Sequence, residues 1–360
     1  MGLTATSPES DFPTALQVKA ATTPPPSINP YLRRPAPRPL PDPEVLFAQI
    51  QAGDTAALSR GITLIESALP AHRRLAADLL SLALQNPSKA IRIGITGVPG
   101  VGKSTLIEAL GLWLADQGHR IAVLAVDPSS SVTGGSILGD KSRMAKLANH
   151  DSAFVRPSPT GGALGGVAHQ TRESISLCEA AGFDVVLVET VGVGQSETAV
   201  YNLVDCFLLL MLGGAGDELQ GIKRGIMESA DVIAVTKSDG DNRVRAEIAA
   251  GQVRAALHFV APRASGWTTD VLCCSSQTHE GILELWTAVS RYFDHAHGQG
   301  LFDQRRREQA VRWLRDLVEE SVLQTWRSKP GRAELQAELE RKVRAGILTP
   351  RSAAERLISG

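Results

Sequence analysis

The residues with the clearest chemistry are Gly97-x-x-x-x-Gly102-Lys103-Ser104, which follow the apolar run 91–96 without a break. Glycine lets a backbone turn tightly enough for successive N–H groups to point at one phosphate, while a lysine bridges neighbouring phosphates and a serine hydroxyl reaches Mg²⁺. A helix opening at Lys103 adds the positive end of its dipole. Gly97, Gly100, Val101, Gly102, Lys103, Ser104 and Thr105 are therefore candidate nucleotide contacts, with Lys103 the candidate catalytic cation. The flanks suit such a loop: a strand over 91–96 enters it, and Leu106, Ala109, Leu110 and Leu114 recur at helical spacing after it.

A phosphate-binding loop alone does not separate kinases, ATPases and GTPases. Strand 121–126 runs into Asp127-Pro128-Ser129, and strand 184–189 ends in Glu189-Thr190-Val191-Gly192. Both place a carboxylate at the carboxyl end of a strand, where open α/β sheets bind ligand. Such carboxylates suit Mg²⁺, held directly or through water; Asp127 also suits the cap of a turn. Strand 231–236 ends in Thr236-Lys237-Ser238-Asp239, which matches Asn-Lys-x-Asp except at its first position. A carboxylate accepts both the N1–H and the 2-amino protons of guanine, and adenine offers no such pair, so Asp239 points to GTP. Lys237 would lie over the base. Ser275 and Ser276, after strand 271–274, would supply the loop that meets the guanine oxygen. Asparagine normally ties this segment to the phosphate loop, and a threonine hydroxyl is expected to do so less well.

The positioning elements follow from patterning. The chain has 360 residues, a net charge of −1 and four cysteines without a C-x-x-C pair. That balance offers no electrostatic case for nucleic acid or an anionic membrane, and the cysteines read as reduced thiols of a cytoplasmic protein. The run Val204–Leu212 is interrupted by Asp205 and falls well short of the ~18 apolar residues of a membrane span. Residues 1–43 hold eleven of the twenty prolines and read as a disordered tail. Two helical patterns over 44–86 predict a helical layer, assigned to 44–88. Alternating strands and helices then predict a mostly parallel sheet over 89–295. From 296 to 360 the stripes Leu301, Val311, Leu314, Val318, Val322 and Leu335, Leu339, Val343 predict amphipathic helices over 301–327 and 331–346.

Five motifs in order, 97–105, 126–130 (Val-Asp-Pro-Ser-Ser), 135–141 (Gly-Ser-Ile-Leu-Gly-Asp-Lys), 189–197 (Glu-Thr-Val-Gly-Val-Gly-Gln-Ser-Glu) and 214–223, closely resemble the MeaB/ArgK/MMAA GTPases over about 44–345. The resemblance implies an α/β P-loop GTPase domain of the SIMIBI type with a helical N-terminal layer and a C-terminal helical dimerisation arm, hence a homodimer. It implies GTP/GDP and Mg²⁺ as ligands, with Ser104, Asp127, Asp140 and Glu189 around the metal. Segments 129–144 and 190–200 would be the first two switches; within the second, Gln195 is by its residue type the polar candidate for positioning the attacking water. Asp217, Glu218, Gln220 and Lys223 would belong to a third, through which nucleotide state reaches a partner. That partner would be an adenosylcobalamin-dependent acyl-CoA mutase, chiefly methylmalonyl-CoA mutase, which carries the cobalamin. Relatives commonly have Leu-Pro-Gly where this chain has Leu212-Gly213-Gly214, which implies a looser start to the third switch.

Read from residues alone, Gln195 equally fits a plain loop, and 213–216 a glycine-rich turn followed by helix-capping acids. A metal-inserting GTPase and a small-molecule kinase are the alternatives on the same fold. The base reading is open to a direct test. Asp239→Asn should lose GTP and gain xanthosine triphosphate, whose 2-oxo group accepts from an amide, at a cost to GTP binding on the order of 3 kcal/mol. Titration calorimetry with both nucleotides checks it; an unchanged preference for GTP over ATP would refute it.

Overall fold

A computed structural model describes residues 40–67, 69–85, 90–127, 143–159, 164–190, 197–213, 224–260, 263 and 265–359. Its centre is a seven-stranded, all-parallel sheet in the order β3-β2-β4-β1-β5-β6-β7. The strands are β1 (Ile91–Gly97), β2 (Ile121–Asp127), β3 (Ala153–Pro159), β4 (Val185–Thr190), β5 (Cys206–Leu212), β6 (Val232–Thr236) and β7 (Asp270–Cys273). The helices are α1 (Pro43–Gln51), α2 (Thr55–Ile65), α3 (Pro70–Leu84), α4 (Lys103–Asp116), α5 (Ala145–Ala148), α6 (Leu164–Ala180) and α7 (Glu197–Tyr201). They continue as α8 (Arg224–Ser229), α9 (Arg243–Leu257), α10 (Ile282–Gly298), α11 (Leu301–Arg327), α12 (Arg332–Arg344) and α13 (Pro350–Ser359).

The strands read as continuous apolar runs because helices cover both faces of the sheet. Alternate residues of β4 show it. Val186 and Val188 join a core with Ile50, Leu58, Ile62 and Leu79 of the N-terminal helices, whereas Val185 and Leu187 join one with Leu106, Leu110, Leu285 and Val289 of α4 and α10. Helices α1–α3 thus share their core with α6 and the sheet. The two helical patterns over 44–86 become three helices because the chain breaks at Gly53, whose φ of 85° no side-chain-bearing residue adopts readily. Asp54 then restarts the helix by accepting the N–H groups of Ala56 and Ala57 at 2.8 and 3.0 Å.

Two aspartates at the amino ends of neighbouring strands hold the root of the C-terminal helices. Asp205, only 2% exposed, enters β5. Its carboxylate accepts from the Arg92 N–H at 3.0 Å and from Arg306 Nε and Nη2 at 2.9 and 2.6 Å. Asp231 enters β6 and accepts from Phe207 N–H, Arg263 and Arg305 at 2.9, 2.6 and 3.1 Å. The acid that interrupted the apolar run is therefore a buried anchor, tolerated because backbone and guanidinium donors satisfy it. Among the described residues no helix is long and apolar enough to cross a membrane.

Beyond this root α11 packs on α6, where the guanidinium of Arg172 lies 5.4 Å from the Trp313 ring and His169 Nε2 lies 3.6 Å from Glu320. Burial, and then the charge of Glu320, pushes the Glu173 carboxyl from 4.5 up to about 7. The folded chain therefore holds this proton through a window in which the unfolded chain has lost it, and stability falls as pH rises from about 4.5 to 7. Glu173→Gln should raise the denaturant midpoint at pH 8 and leave it nearly unchanged at pH 4.5; equal effects at both would contradict the assignment.

Candidate functional site

The phosphate loop is held by contacts that only its residue types allow. Gly97 closes β1 at φ 153°, and a β-carbon there would meet the Leu210 carbonyl oxygen at 2.6 Å. Gly102 takes a left-handed φ of 98° immediately before α4. Lys103, 8% exposed, folds back so that Nζ donates to Gly97 O at 2.8 Å and Val98 O at 3.2 Å. The ammonium thus lies inside the ring of loop backbone, and the open end of α4 faces the same space. Val101 is fully buried, Ser104 half-buried and Thr105 exposed.

Sheet register brings the second carboxylate to this loop. β4 pairs with β1 so that Glu189 lies beside Ile95. Ser104 Oγ then donates to Glu189 Oε1 at 2.9 Å. Thr190 Oγ1 donates to Thr96 Oγ1 at 2.9 Å, which clamps the two strand ends together. A hydroxyl and a carboxylate at contact distance beside a phosphate loop are hard oxygen donors of the kind Mg²⁺ prefers, so these residues fit that ion. Asp127 closes β2, two strands from β1. Asp140, Gln195, Asp217, Glu218, Gln220 and Lys223 lie outside the described residues.

The base side is bonded to the phosphate side. Thr236 Oγ1, buried at the end of β6, donates to Val101 O at 2.7 Å and lies 3.2 Å from Met211 O. Its single proton goes to the shorter contact, so the threonine makes the tie that was expected to be weak. Lys237 Nζ adds a second, to Gly100 O at 2.8 Å. Asp239 Oδ2 accepts from Ser275 Oγ at 2.5 Å, and that hydroxyl accepts in turn from the N–H groups of Gln277 and Thr278, both at 3.2 Å. Ser275 therefore aims the acid and shapes its own loop. Ser276 follows it, half-buried. Among the described residues only Lys237 and His279 combine a side chain with a left-handed backbone, at φ 56° and 61°, and both belong to these loops. Such conformations concentrate where surrounding structure holds a site in place.

At Gly213 a β-carbon would meet Ala246 Cα and N at 2.7 Å, so this backbone lies directly on α9; the rest of the third switch, 214–223, whose looseness the sequence suggested, lies outside the described residues. Sequence reasoning missed Thr96, Thr190 and Asn242, whose amide donates to Lys237 O at 2.7 Å. A hydroxyl pair becomes visible only once β1 and β4 are known to be neighbours. For Asn242, the position just before a helix was the available signal.

Thr236→Ala tests the tie. Losing the hydroxyl should weaken GDP binding by about 1–1.5 kcal/mol, roughly tenfold, with the change mostly in release rate. Stopped-flow release of a fluorescent GDP measures it; an unchanged rate would show that the two loops hold position without this bond.

Comparison with known proteins agrees with this geometry. Residues 58–331 match the family model described as methylmalonyl-CoA mutase-associated GTPase MeaB. The chain is 54% identical over 313 residues to a protein named as a GTPase from Mycobacterium tuberculosis (strain H37Rv), covering 87% of this chain and 93% of that one. It is 48% identical over 275 residues to the GTPase ArgK of Escherichia coli, covering 76% and 83%. With the mouse mitochondrial methylmalonic aciduria type A homolog the identity is 45% over 323 residues, covering 87% and 78%. A crystal structure described as LAO/AO transport system kinase superposes with a TM-score of 0.69 at 37% identity, covering 88% of this chain and 96% of that one. With a phosphate loop, a strand-end carboxylate on its serine and a base loop bonded across to it, the chain belongs to the MeaB family and is a GTPase.

Proposed function

We propose that this GTPase uses its nucleotide cycle to gate adenosylcobalamin loading onto an acyl-CoA mutase, methylmalonyl-CoA mutase or a close relative, and to protect or reactivate that enzyme. The observation that carries the reading is the match of residues 58–331 to a family described by its association with that mutase. Cobalamin reaches the chain only through the partner. The chain works in the cytoplasm as a homodimer joined by residues 296–360, a role supported by exposed Val311, Leu314, Val318 and Val322 on α11. The N-terminal layer runs to residue 88 and opens with α1 at Pro43, capped by Asp42, and 89–295 make the GTPase domain; most of the segment 1–43 assigned to a tail lies outside the described residues.

Hydrolysis needs in-line attack by water while charge spreads over the phosphoryl oxygens. Lys103, the loop N–H groups of 97–102 and the amino end of α4 oppose that charge from fixed positions, which costs no reorganisation when the reaction occurs. Asp239, aimed by Ser275, selects guanine, and Lys237 covers the base. Mg²⁺ held by Ser104 and Glu189, with Asp127 and Asp140, would supply further neutralisation of phosphate charge. The switch residues Gln195, Asp217, Glu218, Gln220 and Lys223 carry the nucleotide state outward. Turnover is slow alone and rises when the mutase orders these segments.

A second reading, a small-molecule kinase, is favoured only by the description of one similar structure as a transport system kinase. Phosphate release from GTP, measured with and without purified mutase, separates the two. The chaperone reading expects inorganic phosphate as product and stimulation by the mutase of about 5–150-fold, a coupling of about 1–3 kcal/mol. Lys223→Ala should keep the unstimulated rate within a few-fold and lose most of the stimulation. Mutase without effect on the wild-type rate would overturn the proposal.

A further inference from the structure

The left-handed backbone at Lys237 needs a cause, because a β-carbon in this conformation crowds the next carbonyl and glycine is the residue that adopts it freely. The side chain of Lys237 is fixed at its far end by Gly100 O, with its Cε 3.9 Å from where a Gly102 β-carbon would lie. Its backbone is fixed separately. Asn242 ends the short 3₁₀ turn Gly240–Asn242 and immediately precedes α9, a position where asparagine ordinarily caps the helix by accepting an N–H group. Here it makes no side-chain cap. Its Nδ2 reaches back five residues to donate to Lys237 O at 2.7 Å, and its backbone N–H donates to Asp239 O at 3.0 Å. Both bonds close the same turn, which holds Lys237 at one end and Asp239 in its middle.

We propose that Asn242 is a positioning residue for guanine recognition. By holding the Lys237 carbonyl it keeps Lys237 left-handed, so that the lysine stem crosses the phosphate loop and the Asp239 carboxylate stays on Ser275. The helix cap is given up for this bond. The inference rests on the reading of Lys237 and Asp239 as the base-contacting pair, and it adds the residue that sets their geometry.

The test is calorimetric titration of the full chain with GDP, IDP and ADP, IDP lacking the 2-amino group that the Asp239 carboxylate accepts from. Asn242→Ala and Asn242→Asp, the latter similar in shape but with no N–H to give, should each weaken GDP about tenfold and shrink the preference for GDP over IDP. In a Lys237→Gly background, where glycine takes the left-handed backbone unaided, Asn242→Ala should cost less than about twofold. Wild-type GDP affinity in Asn242→Asp would overturn the proposal, as would an equal loss in both backgrounds. A lowered unfolding midpoint with an unchanged GDP-over-IDP preference would also overturn it, by assigning Asn242 to the stability of α9. Failure of the underlying reading looks different: the unmutated chain would then prefer GDP to ADP no more than marginally.

Discussion

Two short bonds, Thr236 to the Val101 carbonyl and Lys237 to the Gly100 carbonyl, make the phosphate loop and the base loop one piece. The sheet order makes them necessary. β1 and β6 are not neighbours, because β5 lies between them, so the loops after β1 and β6 meet only above the end of β5. The Met211 carbonyl, 3.2 Å from the Thr236 hydroxyl, belongs to that end. A GTPase that selects its base by one loop and works on its phosphates with another needs them at fixed separation, which the buried Thr236 bond and the exposed Lys237 bond supply.

The same strand joins the site to the far edge of the sheet. β5 emerges between the two bonded loops and passes directly into Gly213, which lies against the backbone of α9 at Ala246. Helix α9 in turn begins at the residue after Asn242, so the turn that carries Asp239 and the end of β5 at Gly213 rest on one helix. At its other end β5 begins beside Asp205, the carboxylate that grips Arg306 at the root of the C-terminal helices. One fully packed strand therefore has the nucleotide loops at one end and the arm at the other. Glycine at 213 is the residue that lets the strand end and α9 approach this closely.

Much of this was legible in the sequence because parallel sheets leave strong marks: unbroken apolar runs, glycines at the loop, carboxylates at strand ends. The strands expected over 91–96, 121–126, 184–189, 231–236 and 271–274 each lie within one residue of β1, β2, β4, β6 and β7. What escaped detection depended on local punctuation or on contacts between distant residues. The Gly53-Asp54 pair, a left-handed residue followed by a capping acid, makes three helices of the two helical patterns over 44–86. Helix α13, opened by Thr349-Pro350 and burying little beyond Ala353, has too few core positions to show a stripe. The contact between the Thr236 hydroxyl and the Val101 carbonyl becomes visible only when β1, β5 and β6 are placed side by side. Asp205 reads in the sequence as an interruption of an apolar run, since Arg306, whose guanidinium neutralises it, lies 101 residues further along the chain.

The central claim is that base and phosphate are recognised by one bonded surface, and hydrogen exchange of the backbone amides tests it most directly. GDP should slow exchange over 98–104 and 236–242 together, with one midpoint concentration for both segments. ADP at the same concentration should protect neither, because without the guanine contact the joined loops are not engaged. Equal protection of 98–104 by ADP and GDP, with 236–242 unchanged by either, would contradict the account.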